Sequence, residues 1–199
     1  MSKKMVVVIV LFAIFSFVFL DKNIAIYFHE NRIFHKFFSI ITNIGNSKYS
    51  ISISLGLFLL SLWAVKLGYE NFERVKKVSL LVLSSVIISG LSVDVIKVIF
   101  ARYRPPAFFA HNDFGFNWFE FGYLVNSFPS GHSATAFSIF LSLGLVFRKY
   151  LNLFLLFAFL VAFSRVAIGV HYLSDVTIGS LIGALSTIYL YKKIYKEEV

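Results

Sequence analysis

Among the five histidines of this 199-residue chain, two sit in settings that suit nucleophilic chemistry on an anionic group. His171 precedes Asp175 by four residues, which on a helical path places both on one face. The carboxylate can then accept the proton of one imidazole nitrogen and leave the other as a free nucleophile. His132 offers a second imidazole, whose titration range suits proton donation to a departing alkoxide. Three cations, Lys97, Arg104 and Arg165, stand in the same motifs with few carboxylates to match them. Arginine makes forked contacts with phosphate oxygens and lysine acts as a point charge, so the guest they imply is anionic. Ser130 and Gly131 open a helix just after Pro129, where free backbone N–H groups and the helix dipole favour an anion. Each residue alone has a plainer reading. A histidine at a helix end is usually an interface residue, and Lys or Arg near a membrane surface snorkels to headgroups. Asp94, one turn before Lys97, reads as a structural partner for a cation.

The elements that must position these residues are membrane spans. Hydrophobic residues make up 58% of the chain and charged residues only 15%, with a mean hydropathy of +0.80. Soluble domains carry about 25% charged residues, so this chain lacks the charge to cover a water-facing surface. Apolar periodicity gives an all-α, polytopic bundle of six transmembrane helices in one domain, residues 1–199. The spans run roughly 5–20, 50–66, 78–100, 133–147, 151–168 and 176–191, several short for the ~17 to 25 residues of a crossing. No small-residue cleavage site follows Leu20, which makes the first run an uncleaved span. The absence of cysteine excludes disulfides, thiolate metal sites and a cysteine nucleophile.

Charge sets the orientation. Eleven of the 19 Lys and Arg residues, from Lys3 and Lys4 to Lys192, Lys193 and Lys196, fall on the side of the termini. With Lys97, Arg104 and Arg165 set aside as motif residues, five face the other way. The positive-inside rule then puts both termini in the cytoplasm and all three motifs at the outer face. The +9 formal charge is thereby accounted for by topology, and nucleic acid is not an expected partner. In the first outward loop, Ile33, Phe34, Phe37, Phe38, Ile41 and Ile44 recur at helical spacing opposite Arg32, His35, Lys36, Ser39 and Asn43. Residues 32–44 therefore form an amphipathic interfacial helix, either a cap on the bundle or a rim that guides headgroups inward. His29 and His35 read as surface residues. The loop 106–128, rich in Phe and holding Trp118, suits dipping into the interface. Gly179 and Gly183 make a small-xxx-small pair suited to close helix packing.

The three motifs together resemble the signature of the type-2 phosphatidic acid phosphatase (PAP2) superfamily, K-x6-R-P, P-S-G-H and S-R-x5-H-x3-D. Every position matches: Lys97, Arg104 and Pro105; Pro129, Ser130, Gly131 and His132; Ser164, Arg165, His171 and Asp175. The resemblance implies an integral-membrane lipid phosphatase of a bacterial plasma membrane. It implies that His171 attacks phosphorus to give a phosphohistidine, that His132 protonates the leaving group and that Asp175 orients the nucleophile. It also implies that Lys97, Arg104, Ser130, Gly131 and Arg165 hold the phosphoryl oxygens, with no metal and no cofactor. Expected partners are the bilayer and a phosphorylated lipid: lipid A phosphate, undecaprenyl diphosphate, phosphatidylglycerophosphate or phosphatidic acid. Two other functions use such a pocket. A vanadate-dependent haloperoxidase would oxidise halide, although such relatives are typically soluble. A phosphate-lipid binding or transport protein would not need both histidines and Asp175.

Overall fold

A computed structural model of the protein describes residues 1–195; Lys196, used in the charge count, lies outside the described residues. Those residues form an all-α bundle. Helix α1 (Lys3–Phe15) runs through a π-helical turn, Ser16–Leu20, into α2 (Asp21–Glu30). A short α3 (His35–Ile41) and a 3-10 turn, Thr42–Gly45, lead into α4 (Ser47–Lys66). Then come α5 (Glu73–Phe100), α6 (Pro105–His111), α7 (Gly131–Val146), α8 (Leu151–Ala167) and α9 (Leu173–Ile194).

Among the described residues, five segments are long and apolar enough to cross a membrane, namely Lys3–Glu30, His35–Lys66, Glu70–Phe100, Arg148–Ala167 and Leu173–Ile194. The protein is an integral membrane protein. The fourth expected span, α7, has 16 residues, or ~24 Å at 1.5 Å per residue, against a hydrocarbon core of ~30 Å. It occupies the middle of the bundle, packed by α5, α8 and α9. Ser133, Ala134, Thr135, Ala136, Ser138 and Ser142 are all buried along it.

The first span differs from the sequence expectation. The first helix continues past Leu20, because Asp21 is not a polar residue leaving the membrane but a fully buried one with partners inside the bundle. The amphipathic stretch 32–44 is helical as α3 and the 3-10 turn, and its basic residues Arg32, His35 and Lys36 are exposed together with most of its apolar ones. Ile33, Phe34, Phe37, Ile40 and Ile44 face outward while Thr42 and Gly45 are buried.

The bundle is built inside out. Val7, Val8, Leu11, Leu60, Trp63, Leu91 and Phe159 lie on its surface, as suits lipid, while serines fill its centre. Ser89 and Ser138 share a hydrogen bond of 2.9 Å between α5 and α7, and Ser142 donates to the Ser138 carbonyl at 2.6 Å. Small residues allow the backbones to approach, and the Ser89, Ser138 and Ser142 hydroxyls find partners that lipid would not offer. The closest approach is between α7 and α9. A Cβ on Gly179 would overlap the Ser130 carbonyl, and one on Gly183 the Ala134 carbonyl. The expected packing role of this glycine pair is what the geometry shows.

Candidate active site

The three motifs meet at one end of the bundle. Arg104 follows the C-terminus of α5, where Ala101 takes a left-handed conformation (φ 41°) and turns the chain inward. The Lys97 ammonium and the Arg104 guanidinium both donate to the Asn126 carbonyl, at 3.0 and 3.2 Å, which sets these two cations side by side. Arg165, in the last turn of α8, donates to the Thr42 hydroxyl at 2.6 Å. His132, at the start of α7, lies in the field of Arg165, Lys97 and Arg104. The Nε groups of Arg104 and Arg165 are buried without a hydrogen-bond acceptor. A buried donor left unpaired costs ~1 to 3 kcal/mol, a cost that an anion bound at Arg104 and Arg165 would relieve.

Of the two N–H groups expected to face that anion, the one of Ser130 is already used: it donates to the Asp175 carbonyl at 3.0 Å. This bond ties the first turn of α7 to α9. The Ser130 hydroxyl caps α7, accepting from the Ser133 N–H at 3.4 Å and the Ser133 hydroxyl at 2.9 Å. Its own proton remains available. Among the described residues, the Gly131 and His132 N–H groups have no protein acceptor and point from the helix start.

His171 and Asp175 are brought together, but not on a shared helix. His171 precedes Tyr172, the N-cap of α9, and Asp175 is its third helical residue. The carboxylate reaches back to the Tyr172 N–H at 2.9 Å, half of a capping box. This turn puts Asp175 Oδ2 at 3.6 Å from His171 Nδ1, slightly beyond a hydrogen bond. His171 is buried, and its pKa is pushed down to about 3, chiefly by burial, with Arg104 and Arg165 adding to the effect and Asp175 opposing it. The ring is therefore neutral at physiological pH. Nδ1 is on the carboxylate side, and a proton held there would leave the Nε2 lone pair available.

Several residues that the motifs do not name complete the site. Ser127 donates to Asp175 Oδ2 at 2.6 Å and stands 3.5 Å from His171 Nδ1. Arg102 is completely buried and bridges two carboxylates, Asp175 Oδ1 at 2.5 Å and Asp21 Oδ2 at 2.8 Å. Burial works against its charge, but Asp175 and Asp21 outweigh that and hold its pKa above the ordinary value. Asp21 in turn accepts the Ser174 N–H at 3.0 Å and the Ser174 hydroxyl at 2.5 Å. A signal for Arg102 and Asp21 was present: a charge at membrane depth costs ~2.5 to 3.5 kcal/mol and needs a partner. The identity of that partner was not legible, since Asp21 and Arg102 are 81 residues apart. Asp94 is exposed and contributes a favourable charge near Lys97. Among the described residues no three His, Asp or Glu side chains form a cluster that could hold a metal ion.

The family profile described as the PAP2 superfamily matches residues 79–198. The chain belongs to the PAP2 superfamily. It is 31% identical over 153 residues to Lipid A 1-phosphatase of Rhizobium etli, covering 72% of this chain and 64% of that protein. A shorter stretch of 66 residues is 44% identical to the Bacitracin transport permease protein BcrC of Bacillus licheniformis, covering 33% of this chain and 32% of that one. The chain thus spans a little under two thirds of the Rhizobium relative. Among solved structures it resembles LpxE of Aquifex aeolicus, with a TM-score of 0.62 over 87% of this chain and 95% of that one. At 24% identity this likeness speaks for the fold alone.

Proposed function

We propose that the protein is a membrane lipid phosphatase that cleaves phosphate from an envelope lipid through a phosphohistidine on His171. The observation that carries this reading is a buried, neutral imidazole backed by Asp175, facing guanidinium groups whose Nε donors lack an acceptor. The His171 Nε2 lone pair forms the N–P bond as the P–O bond to the lipid breaks, and the departing lipid oxygen takes a proton from the imidazolium form of His132, which the negative charge of the bound phosphate favours against the surrounding cations. Water then cleaves the N–P bond, releasing inorganic phosphate. Lys97, Arg104, Arg165 and the first turn of α7, with Ser130 and Gly131, stabilise the charge on the equatorial oxygens. Protein cations take the part that a metal plays elsewhere, so turnover is independent of divalent ions and of any cofactor.

For the substrate we favour a lipid A phosphate, on the strength of the similarity to Lipid A 1-phosphatase. A lateral groove of about 680 Å3 supports a long-tailed lipid. It lies between α4, α5 and α7, lined by Ile53, Leu57, Val78, Val82, Ile139 and Leu143. Its upper lip is Asn43 and Ile44, in the 3-10 turn whose Thr42 holds Arg165 and whose Gly45 lies against His132. We further propose that α7 completes a sixth crossing, that residues 1–199 act as one domain, and that both termini are cytoplasmic with the site at the outer face. In this arrangement α3 lies in the outer interface.

The test is phosphate release by the purified protein in detergent with chelator present, from a panel of lipid phosphates and diphosphates, with products identified by mass spectrometry. Release from lipid A phosphate that is abolished in His171→Ala and blocked by vanadate is the expected result. Release that survives His171→Ala would overturn the assignment of the nucleophile. No release from any lipid phosphate would favour a binding protein instead.

A further inference from the structure

The π-helical turn at Ser16–Leu20 sits directly before Asp21, whose N–H bonds back to the Ser16 carbonyl. Such a turn inserts a residue into the helical repeat and rotates the next stretch of helix, and it frequently marks functional positions. Here it points a carboxylate from the first helix into the bundle, where Asp21 is only 1% exposed. The Asp21 carboxylate caps the start of α9 through the Ser174 N–H and hydroxyl. The guanidinium of Arg102 then bridges Asp21 and Asp175 with one nitrogen on each, Nη1 also reaching the Ser174 hydroxyl at 2.6 Å. The rings of Phe17, Phe114, Phe116 and Tyr172 surround the guanidinium with centroids 4.4 to 5.7 Å away. Its backbone joins in as well. The Arg102 carbonyl accepts the Ser127 N–H at 3.0 Å, and the Ser127 hydroxyl donates to Asp175 Oδ2. Arg102 thus fixes both oxygens of Asp175, one directly and one through Ser127. The oxygen held through Ser127 is the one that faces His171.

We propose that Asp21 and Arg102 are positioning residues for the nucleophile. They lock the Asp175 carboxylate and the first turn of α9 so that His171 holds the tautomer with its proton on Nδ1 and its lone pair on Nε2. Asp21 lies outside residues 79–198, the part that matches the family profile. The first helix is therefore a component of the catalytic apparatus of this chain as well as a membrane anchor. The inference rests on the phosphatase reading for its kinetic consequence, though not for its effect on the imidazole.

A buried network of this kind has a rival role, that of a purely structural clamp. Removing Arg102 leaves two buried carboxylates without their guanidinium, a change that by itself destabilises. Asp21→Asn is the better first variant, since Asp175 keeps Arg102, and Ser174→Ala is a second that alters no charge. Two readouts separate the roles. One is kcat and KM for the released phosphate, normalised to folded protein. The other is the 15N spectrum of ring-labelled histidine, with the His171 signals assigned from their loss in His171→Gln. The expected result is a fall in kcat of about 100-fold at nearly constant KM, the scale of a small misplacement of a reacting group. It is accompanied by a shift of His171 from one tautomer to a mixture in both variants. A lowered melting temperature with unchanged kcat and an unchanged His171 spectrum would overturn the proposal. If no lipid phosphate is hydrolysed by the unaltered protein, the phosphatase reading fails while the histidine spectrum still decides the positioning role.

Discussion

At the scale of single residues, the proposed chemistry depends on a neutral imidazole at His171, which is buried. Burial holds the pKa of His171 down at about 3. In the proposed mechanism the proton-free form is the nucleophile, so the active state is present above that value and is lost only as pH falls through it. An ordinary histidine titrates near pH ~6.5 and would cut the rate tenfold for each unit below it. The expected kcat/KM profile therefore shows no loss from His171 between about pH 5 and 8. The measurement is kcat/KM against pH with a water-soluble phosphate ester, which removes effects of pH on lipid packing. An acid limb centred near the ordinary histidine value, and moved by substitutions at Asp175, would show that burial does not shield His171. Tyr172 illustrates the same environment from the other side. Burial pushes its hydroxyl pKa up, so it stays protonated and its ring serves as a wall against Arg102.

At the scale of elements, two contacts decide whether the site is assembled. The first is the glycine seam between α7 and α9. Gly179 lies against the Ser130 carbonyl, the residue that caps α7 and bonds Asp175, whereas Gly183 lies against Ala134 one turn deeper. Both alanine variants overpack the seam, at a cost of ~1 to 3 kcal/mol each. Gly179→Ala should also displace the Pro129-Ser130-Gly131-His132 turn and lower kcat, while Gly183→Ala acts mainly on thermal stability. Melting curves and turnover measured on both variants check the distinction. The second contact is the aromatic loop. Trp118 and Phe119 both adopt φ of 54°, a region that bulky residues rarely occupy. In that conformation their N–H groups reach the Phe100 and Ile99 carbonyls, at 3.4 and 3.2 Å, at the end of α5. The Trp118 and Phe119 rings meanwhile stay largely exposed. Rings so displayed suit an interface. Replacing both by serine should impair turnover of a lipid phosphate several-fold more than that of a soluble phosphate ester, by parallel kinetic assays. Equal losses would assign the loop to holding α5.

At the scale of the whole molecule, the arrangement is a shell of lipid-facing helices around a short central one. Helix α7 is short for an independent crossing and packs against α5, α8 and α9. Topology is open to direct measurement because the chain has no cysteine. Single-cysteine variants at Ser2 and at Asn112 give a clean readout with a membrane-impermeant maleimide on intact cells. Labelling at position 112 and protection at position 2 are expected from the positive-inside reading. The reverse pattern would place the site on the cytoplasmic side.

The sequence by itself determined the solvent of this protein, the helical class and the residues that gather at the site. Composition and apolar run length depend only on local chain chemistry, and they were legible. So were Lys97, Arg104, His132, Arg165, His171 and Asp175, because charge and imidazole within apolar segments stand out on energetic grounds. Tertiary structure alone decided how these groups are held. It showed that a capping turn rather than a helix face joins His171 to Asp175, and that the Ser130 N–H is spent on α9. It also showed that Asp21 and Arg102 are partners across 81 residues. No periodicity encodes such a pairing. Its energy comes from burying opposite charges at short range, and only the folded chain sets that distance.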